Sequence, residues 1–303
     1  MKTLLRLGSF ISICALTTIA GGSPIELGEA GQYTLVGAGV SAATSNHGGN
    51  LVLGSEAQVF GSAGARNYIG ISPGVRIHEN LHGGHINASP DLIVQGNKAS
   101  SFPYGTGLSS NHWPDIHANM LSASAAAAAL EGESISSILA SKTLAGQGKP
   151  VSVYHVNGRI NLGTGHTLKI SGTEADKFVI NVTQGLALGS GASIVIEGVQ
   201  PGNVLFNFTG GGPGGPSATV AAGKMSGVFL APRMFWQLGD GLELPATRVL
   251  ASGIEANIQD MTPPPGVFIP DVFVPEPKTL LLVCISLGGL LLAPRPAAHS
   301  PTE

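Results

Sequence analysis

The chain has 303 residues, with 44 Gly, 20 Pro, charged residues at 11%, aromatics at 5% and a hydrophobic fraction of 43%. Glycine is about twice its usual share of roughly 7%, and the length allows one large domain or two modest ones. A net charge of -3, a pI near 6.3 and the lack of any Lys/Arg stripe give no electrostatic basis for nucleic acid as a partner.

The chain starts MKTLLRLGSFISICALTTIAGGSP. Lys2 and Arg6 precede an apolar stretch from Leu7 to Ile19, followed by small residues from Ala20 to Ser23. This layout predicts a secretory signal peptide over 1–22, cleavable at a small-x-small site such as Thr18-Ile19-Ala20; an uncleaved anchor is the alternative. Cys14 lies in this segment and Cys284 in the C-terminal apolar run, so the exported part is expected to hold no disulfide and no catalytic thiol. Ile13 is too large for Cys14 to read as a lipidation site.

Short segments of one kind then recur: LVLGSEAQVFG at 51–61, IGISPGVRIHE at 69–79, INLGTGHTLKISG at 160–172, LALGSGASIVIEG at 186–198 and WQLGDGLEL at 236–244. Each has alternating or β-branched apolar residues, a Gly-containing turn and a second apolar stretch, the pattern of strands joined by corners that need positive φ. The step from Leu162 to Leu188 is 26 residues, and that from Leu188 to Leu238 is close to twice as long. A repeat of roughly 20 to 30 residues signals a solenoid, in which each coil is too small to bury its own apolar face and stacking supplies the core. The fold class is therefore mostly β, a β-solenoid (β-helix) over 23–261, with a Gly-rich β-sandwich as the alternative.

One segment departs from this pattern. DIHANMLSASAAAAALEGESISSILA, from Asp115 to Ala140, is rich in Ala and free of Pro, which predicts one long flanking Ala-rich α-helix at about 115–140, divided or kinked at Gly132. GGGPGGP at 210–216 reads as a loop within the domain. TPPPGVFIPDVF at 262–273 reads as an extended Pro-rich spacer.

After the spacer come Val274-Pro275-Glu276-Pro277, an uncharged apolar span at 279–293 and, beyond it, Arg295. The span is shorter than the roughly 20 residues that cross a bilayer core with ease. A Pro-rich spacer, an oily run and a polar stub have no place in a packed core, so a C-terminal transmembrane tail is expected. The motif and the span resemble the PEP-CTERM sorting signal of exported bacterial proteins, here at 274–303. That resemblance implies recognition by an exosortase, at least transient residence in the inner membrane, and then a cell-surface or extracellular location in species that make extracellular polysaccharide. The family closes with several Arg or Lys, whereas Arg295 alone follows the span here. The middle of the chain, KFVINVTQGLALGSGASIVIEGVQPGNVLFNF at 177–208 with MSGVFLAP at 225–232, is similar to exported domains described as choice-of-anchor or ice-binding-like β-helical proteins. This second resemblance implies a fold and a surface location more firmly than a ligand.

Candidate chemistry is sparse. A carbohydrate-active enzyme needs paired carboxylates, and the acidic residues are scattered at sites that solvated turns and helix ends explain. His78, His82 and His85 in HENLHGGHINAS are close enough in sequence to converge on a metal, with Glu79 beside them, or to form a polar loop at a corner. Ice binding calls for a flat repetitive face, and comparable positions read GSEAQV, GTGHTL and GSGASI, so no Thr ladder is written in the sequence. Asn181-Val182-Thr183 and Asn207-Phe208-Thr209 fit the glycosylation pattern but fall inside expected strands. The reading is a non-enzymatic structural, adhesive or polysaccharide-associated surface protein without a cofactor, with an ice-binding-like protein as the alternative.

Overall fold

The computed structural model describes residues 25, 27–39, 48–100, 112–210 and 218–264, and two dipeptide strands, Gly22–Ser23 and Val274–Pro275. The chain divides into a unit of Ser23–Val274 and a second of Met1–Gly22 with Pro275–Glu303. The expected signal peptide, Glu276, Pro277, the apolar span, Arg295 and most of the Pro-rich spacer lie outside the described residues. Among the described residues, no helix is long and apolar enough to cross a membrane.

The unit Ser23–Val274 is mostly β with one α-helix, a parallel β-helical arrangement built on a 13-stranded sheet. The repeated segments stack on one another as coils. Leu162 pairs with Leu188, the 26-residue step visible in the sequence. Leu188 then pairs with Val220, 32 positions on, and Val220 with Leu238, 18 positions on. The distance from Leu188 to Leu238 is thus one long coil and one short one, because the stretch around GGGPGGP lengthens the first.

The corners explain the glycines. Glu56, Gly74, Gly165, Gly191 and Gly241 occupy the same corner position in the five repeated segments, and all have positive φ. Gly adopts that conformation without a Cβ penalty, and four of the five positions use it. Inward rows such as Leu162–Leu188–Val220–Leu238 carry the apolar core, and the long row Tyr154–Ile180–Phe206–Phe229–Val249–Leu35 lies beneath the helix side.

Chain order and stacking order differ. The last long strand, Thr247–Ala256, pairs with Tyr33–Gly37 and Asn50–Leu53, so the coils of 33–100 continue the stack formed by 133–261. The segment between Ser100 and Glu133 must therefore return along the whole stack, and the helix His112–Ala128 does most of that travel. The helix is shorter than the sequence suggests: Glu133–Ile138 is a strand, paired in parallel with Ser152–Leu162. The reason is legible in ESISSI, which alternates at period two, and in Gly132, where a Cβ would come 2.6 Å from Val153 Cγ1.

The helix lies along one outward row, His155–Asn181–Asn207–Leu230–Leu250–Val36–Gly64–His82. Apolar contact comes from Ile116, Met120, Ala123 and Ala127 against Val36, Val179, Leu205, Leu230 and Leu250. Polar contact comes from the row itself: Asn207 Nδ2 donates to Ser124 O (2.9 Å) and to Asn181 Oδ1 (2.7 Å), and Asn181 Nδ2 donates to Ala127 O (2.8 Å). His155 Nε2 reaches Leu130 O at 2.8 Å.

Both asparagines are buried, so each lost bond leaves an unpaired polar group. Asn207→Ala is expected to cost about 1–3 kcal/mol. Asn181→Ala is expected to cost a similar amount, and the double variant less than the sum, because the two share a bond. Urea unfolding of the three variants checks this; strictly additive losses would show that the row does not act as a unit.

Candidate functional site

Each coil presents three sides, and the helix covers one. The first uncovered side carries the short strands Lys142–Ala145, Thr167–Ser171, Ala192–Glu197, Gly223–Lys224 and Leu242–Glu243, continued by Asp260–Met261, Gln58–Val59, Arg76–Ile77 and Ile93–Val94. Two ion pairs run along the stack among its outward groups: Lys169 Nζ lies 2.6 Å from Glu197 Oε2, and Lys224 Nζ 3.7 Å from Glu243 Oε2. Thr167 Oγ1 and Ser193 Oγ share a hydrogen bond at 3.0 Å.

The second uncovered side, the open face, is different in character. Register places Asn161, Ala187, Thr219, Gln237, Glu255, Val52, Gly70 and Asn87 in one outward row, with Leu and Ile at the alternate inward positions. Glu255 is the one charged side chain in that row, and Gln237 Nε2 meets it at 3.5 Å. A parallel row holds Asn50, Tyr68 and His85. No second carboxylate stands in the described row beside Glu255, so the pair that glycoside hydrolysis requires is not assembled there. Thr219 is the single Thr of the row, and no Thr ladder forms.

The three histidines singled out in the sequence point in three directions. His78 stacks on Phe60 with ring centroids 4.1 Å apart, and His85 stacks on Tyr68 on the open face. His82 faces the helix side, where its Nδ1 lies 2.8 Å from Tyr33 Oη. A register shift between Ala65 and Tyr68 separates the two halves of this strand pair, which is why His82 and His85 of one strand face different sides. Among the described residues, no group of three or more His, Cys, Asp or Glu could hold a metal ion. Val274 and Pro275 form a dipeptide strand. The glycosylation-pattern asparagines are the buried residues that hold the helix.

His82 belongs to a polar cluster that pins the helix start. Tyr33 Oη also lies 2.9 Å from His112 Nε2, and His112 Nδ1 lies 3.1 Å from Glu29 Oε2. Trp113 packs beside both rings, and Gly64 lies beneath, where a Cβ would come 2.7 Å from both Trp113 and Tyr33. Burial, with Glu29 second, pushes the Tyr33 phenol well up, so it keeps its proton. It can then donate to one imidazole while accepting from the other. Burial, reinforced by His112, holds His82 below the usual histidine range. Nearby Arg248, 5% exposed, donates to Gly31 O; burial lowers its guanidinium to about 10, against the opposing pull of Glu79. His82 stands out in the sequence, but no motif joins it to Tyr33 and His112, so the cluster itself leaves no sequence signal.

Residues 12–241 match the family profile of the ice-binding-like adhesive domain. No curated protein sequence matches the chain. Among solved structures, an ice-binding protein from an Antarctic biological consortium is similar at 15% identity and a TM-score of 0.51, over 88% of this chain and 98% of that one. The ice-binding protein LeIBP from an Arctic yeast is similar at 18% identity and 0.54, over 83% and 97%. The DUF3494 domain of a Shewanella frigidimarina ice-binding protein gives 17% and 0.53, over 80% and 98%.

The depressed His82 gives stability a pH dependence of definite sign. Above the unfolded value of 6.5 both states leave this imidazole neutral and its contribution is full. As pH falls from there toward the lower folded value, the unfolded chain takes up a proton that the fold resists, and stability drops. His117, also lowered mainly by burial, adds in the same direction. The urea midpoint is expected to fall between pH 7 and 5, and His82→Gln to flatten that slope; an unchanged slope would remove His82 from the account.

Proposed function

The chain belongs to the family of ice-binding-like adhesive domains, and from that premise we propose that it is an exported, non-enzymatic surface protein whose open face adheres to an extended hydroxylated polymer, a polysaccharide. The observation that carries this is the open face itself. It is an uncovered parallel-sheet face whose main outward row holds small, amide and hydroxyl side chains and one charge. Such a row can make many weak contacts along a polymer, and their summed avidity can be large although each is slight. The similar solved structures are described as ice-binding, which keeps ice as a second reading. A lattice match favours the same group at each coil, and here the side chain changes at nearly every step from Asn161 to Asn87.

The row offers a direct test. Ala187→Arg or Gln237→Arg on the open face is expected to abolish retardation of the protein in gels containing neutral polysaccharide, and Thr143→Arg on the charged side to leave it intact. Ice shaping and inhibition of ice recrystallisation by the wild type, without polymer retardation, would replace the polymer by ice.

For delivery, we infer that Val274-Pro275-Glu276-Pro277, the apolar span 279–293 and Arg295 act as a PEP-CTERM-like signal read by an exosortase at the inner membrane. The support is the motif and its adjacency to the apolar run. Expression in an exosortase-bearing host should give a surface or matrix species whose intact mass ends near Pro275 to Lys278. An intact chain retained in the inner membrane would overturn the sorting role.

A further inference from the structure

The open face carries a feature that its main row does not explain. Tyr68 and His85 stand on neighbouring coils in direct register, with ring centroids 5.9 Å apart and planes within 21°. Gly70 follows Tyr68 on the same side of the strand, and the tyrosine ring leans over it: a Cβ at position 70 would lie 2.9 Å from Tyr68 Cε1 and 3.2 Å from Tyr68 Oη. Asn87, on the neighbouring strand opposite Gly70, donates from Nδ2 to Tyr68 Oη at 3.1 Å, which fixes the phenol and leaves its own hydrogen to donate. His85 and Asn87 are exposed. A glycine gap, two near-parallel rings and three polar groups thus share one small area.

We propose that Tyr68, His85 and Asn87 form a subsite for one ring of a neutral, all-equatorial hexopyranose within the polymer, a reading that rests on the polysaccharide function above. Such a sugar has a flat face of axial C–H groups and a rim of equatorial hydroxyls. The C–H face lies against the electron-rich face of the tyrosine ring, as apolar edges meet aromatic faces elsewhere. The rim hydroxyls accept from the phenol O–H and exchange hydrogen bonds with the Asn87 amide and the His85 ring nitrogens. Gly70 is part of the site because any side chain there displaces the tyrosine ring. The absence of a charged residue from this cluster favours a neutral ring over a uronic acid or a sulfated one.

The test uses the full chain with cellohexaose as the probe, and dextran and alginate as the axial-linked and acidic comparisons. The wild type is expected to bind cellohexaose, with saturation transfer strongest on the ring C–H protons. Tyr68→Ala should weaken binding roughly tenfold, the scale of one aromatic contact. Tyr68→Phe should keep the C–H signature with a smaller loss, and Gly70→Val should lose as much as Tyr68→Ala. Phe60→Ala removes an exposed aromatic away from this cluster, 39% accessible, and should change nothing. Unfolding midpoints of each variant confirm that it folds. Failure of the wild type to bind any of the three polysaccharides overturns the polymer reading and the subsite together. Binding that Gln237→Arg abolishes but Tyr68→Ala and Gly70→Val leave unchanged overturns the subsite alone.

Discussion

Three residues of α-helix advance about 4.5 Å, and one coil of a parallel stack advances about 4.7–4.9 Å. That near coincidence organises this protein. Ser124, Ala127 and Leu130 offer backbone carbonyls at three-residue intervals, and Asn207, Asn181 and His155 meet them from three successive coils. The mismatch is only a few tenths of an ångström per coil, small enough for side chains to absorb over this span. It also explains why the helix is rich in alanine. A side chain of two or three carbons can reach a helix carbonyl only if the helix lies close to the sheet, and Ala123 and Ala127 on the buried side allow that approach.

Because the helix carries the chain back along much of the stack, the first coils can sit beyond the last. Tyr33–Gly37 pairs with Thr247–Ala256, joining segments more than 200 positions apart. An ordinary solenoid has mainly nearest-neighbour contacts and can grow from any coil. Here one inter-coil junction must wait for distant parts of the chain to meet, and the two polar clusters at the helix ends tie that junction to helix docking. Tyr33, His82, His112 and Glu29 close one end; the Asn–Asn–His row closes the other. The covered side is thereby committed to structure, and two sides remain for other work.

What the sequence reveals follows from which forces leave periodic traces. Corners requiring positive φ leave glycines at one offset, and stacked inward rows leave Leu and Ile at period two, so the β-helical class and the Leu162–Leu188 register were both readable. Period two says which residues share a side of a strand but not which side another element will cover. Asn181 and Asn207 fit a glycosylation pattern inside expected strands, and nothing at period two tells that both are buried under a helix from 54 and 83 positions away. The helix end is hidden for a related reason: Ala and Leu favour helix up to Ala140, but pairing with Ser152–Leu162 outweighs propensity from Glu133 onward. Tyr33 and His112 are 79 positions apart, and only the return path of the chain brings them together.

The open face shows the opposite relation between repeat and residue. Its inward neighbours, from Leu162 through Leu188, Val220 and Leu238, stay apolar because the core requires it at each coil. The outward row has no such requirement; the fold would accept any side chain that tolerates a strand, and the row changes at nearly every step. A stack with a uniform outward row would present one chemistry many times, suited to a lattice. This row presents amides, a hydroxyl, small residues and, one strand position away, a tyrosine leaning over a glycine. Rigidity comes from the buried rows and the helix, so these unlike groups are held at fixed spacing without needing to be alike. A stiff frame carrying dissimilar weak contacts suits a polymer whose own groups vary along its length, and Tyr68 over Gly70 is the place where that variety is most sharply shaped.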